Sequence, residues 1–223
     1  MRFKAALVAT TLLTAGSPAV AGAWLRAEDS GFASFTFGAT QDDRFTTSLY
    51  LEYGLWPETT VGLDANVSTL GSDINTGSAL VFLRRAIGPT DRPLKLSYEL
   101  SLGALRQDER TLPAAEATVS VGRGLQIGER NGWVNIDASY LYEPTRGDHL
   151  GKLDVTAGLD FTRRTTGVLE LNYSAGEDDD FGAIEPSVLF RLGGGDTRVR
   201  LGAQIPWEGS DDVSLELGLW RDF

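Results

Sequence analysis

His149 is the chain's one histidine, and the chain has no cysteine. A serine nucleophile needs a base within hydrogen-bond reach and a third group that orients the imidazole. Around this histidine the sequence reads Asp148-His149-Leu150-Gly151, with no serine within several residues. The surroundings predict a solvated loop histidine and no catalytic residue. The run Glu177-Asp178-Asp179-Asp180 offers hard oxygen ligands of the kind that suit Ca²⁺ or Mg²⁺. It lacks the alternating ligands and following Glu of an EF-hand loop, so it reads as a solvated tip and no metal is assigned. Gly193-Gly194-Gly195 opens no helical pattern and reads as a turn, not a phosphate loop. No cofactor is implied. What remains is carboxylate: 31 Asp and Glu against 20 Lys and Arg. That balance excludes a nucleic-acid partner, whose binders carry basic patches.

The charges follow a period of two. Within Phe45–Leu55, Glu52 alternates with Leu49, Leu51 and Tyr53. Within Thr60–Thr69, Asp64 opposes Leu63 and Ala65. Near Ser78–Ile87 the pattern is less clean, because Arg84 shares parity with Leu80 and Phe82. Lys95 and Glu99 take the polar parity of Leu94–Leu105, Glu116 that of Ala114–Gly124, and Asp137 that of Trp133–Tyr142. Asp154 and Asp160 take it in Lys152–Thr162, and Glu170 in Gly167–Ala175. Glu185 and Arg191 take it near Ala183–Leu192, Arg200 in Arg198–Ile205, and Glu216 in the last segment. Successive strand residues point to opposite faces, so each segment is a strand with one apolar and one polar side. Pro186 cannot donate to a ladder and predicts a late start or a rim bulge in its strand.

With Gly31–Thr40 these make about twelve strands of roughly 9–11 residues, the length a tilted strand needs to cross a bilayer. No segment has a helical period, and no apolar run approaches a spanning helix. The predicted fold is all-β, an antiparallel up-and-down transmembrane barrel. Aromatics such as Tyr53, Phe161, Phe45, Tyr140, Tyr142 and Tyr173 fall toward strand ends, as interfacial girdles require. A soluble barrel with its faces exchanged does not account for them. The polar parity is then the lumen. Strands tilted roughly 40° and spaced about 4.8 Å close at a backbone radius of about 12 Å. Such a bore admits two readings: a narrow acidic pore favouring cations, or a lumen shut by Arg–carboxylate bridges. Repeated lumen glycines, among them Gly62, Gly122 and Gly158, predict tight curvature or large neighbours against bare backbone. The connections are short and rich in Gly, Pro and Asp, so no plug domain is expected.

The ending Val213-Ser-Leu-Glu-Leu-Gly-Leu-Trp-Arg-Asp-Phe223 resembles the C-terminal signature of bacterial outer-membrane β-barrels. The resemblance implies that Leu215, Leu217, Leu219 and Phe223 form the signal read by the barrel-insertion machinery; Arg221 departs from the usual apolar residue. It also implies outer-membrane lipid and lipopolysaccharide as surroundings, and small solutes as possible cargo. The N-terminus agrees. Arg2 and Lys4 precede the short apolar stretch Ala5–Thr14, and Ala19-Val20-Ala21 is a small-x-small cleavage site. Residues 1–21 are therefore a predicted signal peptide, 22–30 a periplasmic segment and 31–223 the barrel. Removing Arg2 and Lys4 takes the formal charge from −11 to −13. The opening Gly22-Ala-Trp-Leu-Arg before a Gly-Phe strand is also similar to transporter-like barrels grouped with phenol-degradation pathways; it implies no substrate here. The expected function is a narrow passive channel for small neutral or cationic solutes in a Gram-negative outer membrane. The alternative is a non-conducting structural or surface-interaction barrel.

Overall fold

The computed structural model describes residues 22–223, apart from 71–72, 108–109, 177–179 and 209–211. The predicted signal peptide and most of the acidic run at 177–180 lie outside the described residues. Twelve strands follow one another: β1 (Gly31–Ala39), β2 (Arg44–Trp56), β3 (Thr59–Leu70), β4 (Asp73–Ala86), β5 (Leu94–Gln107), β6 (Arg110–Ile127), β7 (Arg130–Glu143), β8 (Asp148–Asp160), β9 (Thr165–Ala175), β10 (Asp180–Arg191), β11 (Thr197–Glu208) and β12 (Ser214–Asp222). Each pairs antiparallel with its neighbours in sequence, and β1 closes on β12, giving an up-and-down barrel. The seam ends in a reciprocal pair: Gly31 N–H donates to Phe223 O at 2.7 Å and Phe223 N–H to Gly31 O at 3.0 Å.

The two parities separate as their chemistry requires. On β5, Leu102 is 66 % exposed on the outside while Ser97 is fully buried inside. A one-residue slip of any strand would exchange the faces, so the alternation itself fixes the register. Val81, Leu100, Leu102, Val119 and Leu201 lie exposed on mid-wall, with Tyr53, Phe161 and Phe190 toward one rim and Tyr140, Tyr142 and Trp207 toward the other. Leu215, Leu217, Leu219 and Phe223 are also exposed on the outer face. The β6–β7 connection is Gly128-Glu129, with Gly128 at φ 63°, a left-handed conformation that glycine adopts without a Cβ clash.

The structure refines the sequence reading at four places. Residues 22–27, expected as part of a periplasmic segment 22–30, enter the lumen at the end carrying both strand termini, where Ala23 is 4 % exposed, and form a short plug of a few residues. Of the two outcomes expected from Pro186, the late start is absent, since β10 starts at Asp180, and the rim irregularity is present as a register shift against β11 at Gly182/Ala183. Pro186 faces outward within the strand, paired with Leu169. His149 is not in a loop, because the β7–β8 hairpin tightens to residues 144–147. It lies on β8 in register with Tyr142, its ring 6.0 Å from that of Tyr140. On β4 the impure pattern is real: Leu80, Phe82 and Arg84 are all buried on the inner face, so the barrel interior has apolar as well as charged matter.

Candidate functional site

The lumen is built from inward side chains of all twelve strands, and their charges fall into three groups. The first lies in the half nearer the strand termini. Tyr50 and Glu52 of β2, Arg84 of β4 and Glu99 of β5 sit on one wall. Arg84 donates from Nε and Nη2 to Glu99 Oε2 at 3.0 and 2.6 Å, from Nη2 to the Tyr50 hydroxyl at 2.8 Å, and from Nη1 to Glu52 Oε1. Tyr50 O–H donates to the same Glu52 oxygen at 2.6 Å. Glu52 is 1 % exposed, and a carboxylate so buried persists as a charge only when paired and hydrogen-bonded.

Its other oxygen is taken by the N-terminal segment: Arg26 Nε donates to Glu52 Oε2 at 2.6 Å, and Arg26 Nη1 to Asp222 Oδ1 at 3.2 Å. Arg198 approaches Asp222 at 3.5 Å. Both guanidiniums also lie over rings, Arg26 at 4.7 Å from the Phe32 centroid and Arg84 at 5.1 Å from that of Phe82. Trp24 packs with Trp220 against Trp133, Val168 and Leu189.

Glycines make room for this crowding. A Cβ on Gly122 would strike the Trp24 ring, one on Gly158 the Trp133 ring, and one on Gly62 the Phe82 ring. Of the two roles expected for lumen glycine, close approach by a large neighbour is the one these three positions serve.

The second group spans β9 to β12. Arg200 Nη2 meets Glu170 at 2.6 Å, Glu185 at 3.4 Å and Glu216 at 3.4 Å, so one cation stands before three carboxylates. Asn172 and Gln204 donate to Glu185 Oε1 at 2.8 and 2.6 Å, spreading its charge.

The third group lies on β3 and β6 to β8. Lys152 is bridged to Glu116, Asn66 donates to Asp64 at 2.8 Å, and Asp137 stands in direct register with Asp154. Eleven of the fourteen predicted lining residues belong to these groups. The remaining three sit toward the rim at the terminal end. Lys95 bonds the Thr90 carbonyl, Asp160 accepts from Thr166 at 2.6 Å, and Arg191 reaches Asp196 at 4.0 Å with its side chain half exposed.

Between the groups lies a cavity of about 190 Å³, walled by Phe32, Tyr50, Trp133, Trp220, Asp137 and Glu170 among others. Toward the other end a vestibule of about 600 Å³ opens, rich in neutral hydroxyls such as Thr36, Thr46, Ser48, Ser68 and Ser78. Lys152 and Arg198 were absent from the predicted lining although they share the parity of Asp154 and Arg200, so the alternation contained them. Arg26 had no such signal, because its segment has no period.

No family model and no curated protein matches this sequence. Solved structures do match the fold. The KdgM porin superposes with a TM-score of 0.63 at 8 % identity, covering 86 % of this chain and 99 % of its own. The NanC porin gives 0.62 at 10 % identity, covering 85 % and 98 %. An outer membrane channel from Pseudomonas putida F1 gives 0.54 at 13 % identity, covering 89 % and 97 %. At such identities the likeness is one of architecture: this chain has the closed, twelve-strand antiparallel barrel fold of outer-membrane porins.

Proposed function

We propose that the chain is an outer-membrane barrel acting as a narrow passive channel for small neutral or cationic solutes. Residues 1–21 are its removable export signal, and Leu215, Leu217, Leu219 and Phe223 its insertion signal. The exposed apolar mid-wall between aromatic rims supports placement in a bilayer. One observation carries the solute class. The vestibule, with Arg106 on its wall, reaches Arg200, Glu185 and Glu216, and Arg200 there faces three carboxylates, the third being Glu170 outside the vestibule. A surplus of fixed negative charge inside a low-dielectric wall attracts cations and repels anions. The KdgM porin has been solved with disordered oligogalacturonate. That ligand is a polyanion, and an acidic lumen of this kind disfavours it.

The constriction lies toward the terminal end, where Arg26 meets Glu52 of the Arg84 group and Trp24 packs against Trp133 and Gly122. A second reading rests on that same feature: a barrel kept shut by these bridges and serving a structural or surface role.

Single-channel recording of the mature chain in a planar bilayer under a KCl gradient separates the two. Discrete openings with a cation-selective reversal potential support the channel, and Glu99→Gln and Asp137→Asn should then reduce the selectivity. An inserted, heat-modifiable barrel without conductance leaves the closed reading.

A further inference from the structure

Asp137 carries an anomaly at the tip of the plug. Its Oδ2 accepts from Asn135 Nδ2 at 2.6 Å. Its Oδ1 is fully buried and has no hydrogen-bond partner among the described residues. A half-satisfied buried carboxylate is costly, and Asp154 stands directly across from it with a like charge. Lys152, two positions from Asp154, is already bridged to Glu116.

The group lying against the empty oxygen is Gly22. A Cβ at Gly22 would strike Asn135 Nδ2 first and fall 2.5 Å from Asp137 Oδ1 and 2.8 Å from Asn135 Oδ1, and the residue has φ 84°, where a side chain would be strained in any case. The neighbouring backbone is fixed on both sides. Ala23 N–H donates to Asn135 Oδ1 at 3.0 Å, and Ser97 O–H to Gly22 O at 3.1 Å. Asn135 thus holds the plug with one end of its amide and Asp137 with the other.

We infer that Asp137 is the receptor for the new N-terminus of the processed chain. This rests on the reading of residues 1–21 as a signal cleaved after Ala21. Hydrolysis of the Ala21–Gly22 amide by water leaves a carboxylate on the released leader and an ammonium on Gly22. Before cleavage the position beside Asp137 holds a neutral amide; afterwards it holds a cation that forms a charge-assisted hydrogen bond with Oδ1. Processing therefore completes the site and locks residues 22–27 in the lumen, so the plug is set only in the exported form.

The test uses the mature protein isolated from outer membranes. Intact mass first establishes the N-terminus. Acetylation of the α-amine at pH 7 is then followed by peptide mass, against Lys95 and Lys152, the only lysines after residue 21. In the folded barrel the Gly22 amine should react at least about tenfold more slowly than in urea, as a buried, ion-paired ammonium requires. Asp137→Asn should remove most of that protection and raise single-channel conductance. A second form guards against misfolding of that variant: a refolded chain bearing one extra Met before Gly22. It keeps Asp137 but displaces the ammonium by one residue, about 3.5 Å, and should react like Asp137→Asn. Equal reactivity in the folded and unfolded mature chain overturns the pairing while leaving the cleavage site intact. So does protection that survives in both altered forms. A mature terminus at any residue other than Gly22 overturns the processing step itself.

Discussion

At the end of the barrel that carries both strand termini, the interior is filled. Trp24 lies over Gly122, Trp133 over Gly158, and Arg84 and Arg26 converge on one buried Glu52. At the other end the same alternating strands present Thr36, Thr46, Ser48 and Ser78 around an open vestibule of about 600 Å³. The wall's backbone is shared, so the contrast comes from side-chain volume and charge and from the N-terminal segment lodged at one end. Long cations, aromatics and bare glycines interdigitate at one end; short hydroxyls leave space at the other. A barrel of fixed strand number can therefore grade its bore along the axis without changing its wall.

The contrast is open to direct attack. The largest effect should come from Arg84→Ala, which strands Glu99 and leaves Glu52 with only Arg26 and the Tyr50 hydroxyl. Removing one partner of a buried pair costs about 3–5 kcal/mol, read as a lower urea midpoint for the refolded barrel; an unchanged midpoint would mean the terminal end is wetter than its burial implies. Next is Gly122→Leu, whose side chain must displace Trp24. It should cost about 1–3 kcal/mol by overpacking and also raise conductance, because the plug loses its seat. Loss of stability without added conductance would show that Trp24 does not lie in the path. Glu216→Gln removes one of the three carboxylates before Arg200. Stability should change by only about 0.5–1.5 kcal/mol, while the reversal potential moves toward that of a less cation-selective pore. The smallest effect should be that of Ser78→Ala in the vestibule, within about 0.5 kcal/mol and without altered conductance. A pronounced change in conductance there would make the vestibule, not the terminal end, the narrow part.

The fold was legible because every strand carries its own signal. Leu100, Leu102 and Glu99 on β5 take the faces that their spacing dictates, and register follows from it. Lumen charges at Glu52, Asp137 and Arg200 were legible for the same reason. What the pattern hid has two physical sources. Parity assigns a face but not a polarity: Leu80 and Phe82 are apolar and still point inward with Arg84, because the interior of a narrow barrel must be packed as well as solvated. Alternation is also silent about a segment that is not a strand. Ala23, Trp24 and Arg26 find their places through Asn135, Gly122 and Glu52, residues 26 to 112 positions away, and no local period records such contacts. Pro186 did not reveal how its strand would hold it: it faces outward and leaves the β9–β10 ladder paired, while the register shift lies on the β11 side, nearer the rim.

The seam between Gly31 and Phe223 has a consequence for the order of assembly. Eleven of the twelve strand junctions join neighbours in sequence and can form as soon as one hairpin meets the next. The twelfth brings together residues separated by 192 positions (223 − 31). Contacts so distant along the chain gain nothing until the intervening loop entropy has been overcome, so they form late and slowly. Until then β1 and β12 each expose an unpaired edge, the state most open to capture by another strand. Pairing of Phe223 with Gly31 is thus the contact that removes both open edges at once.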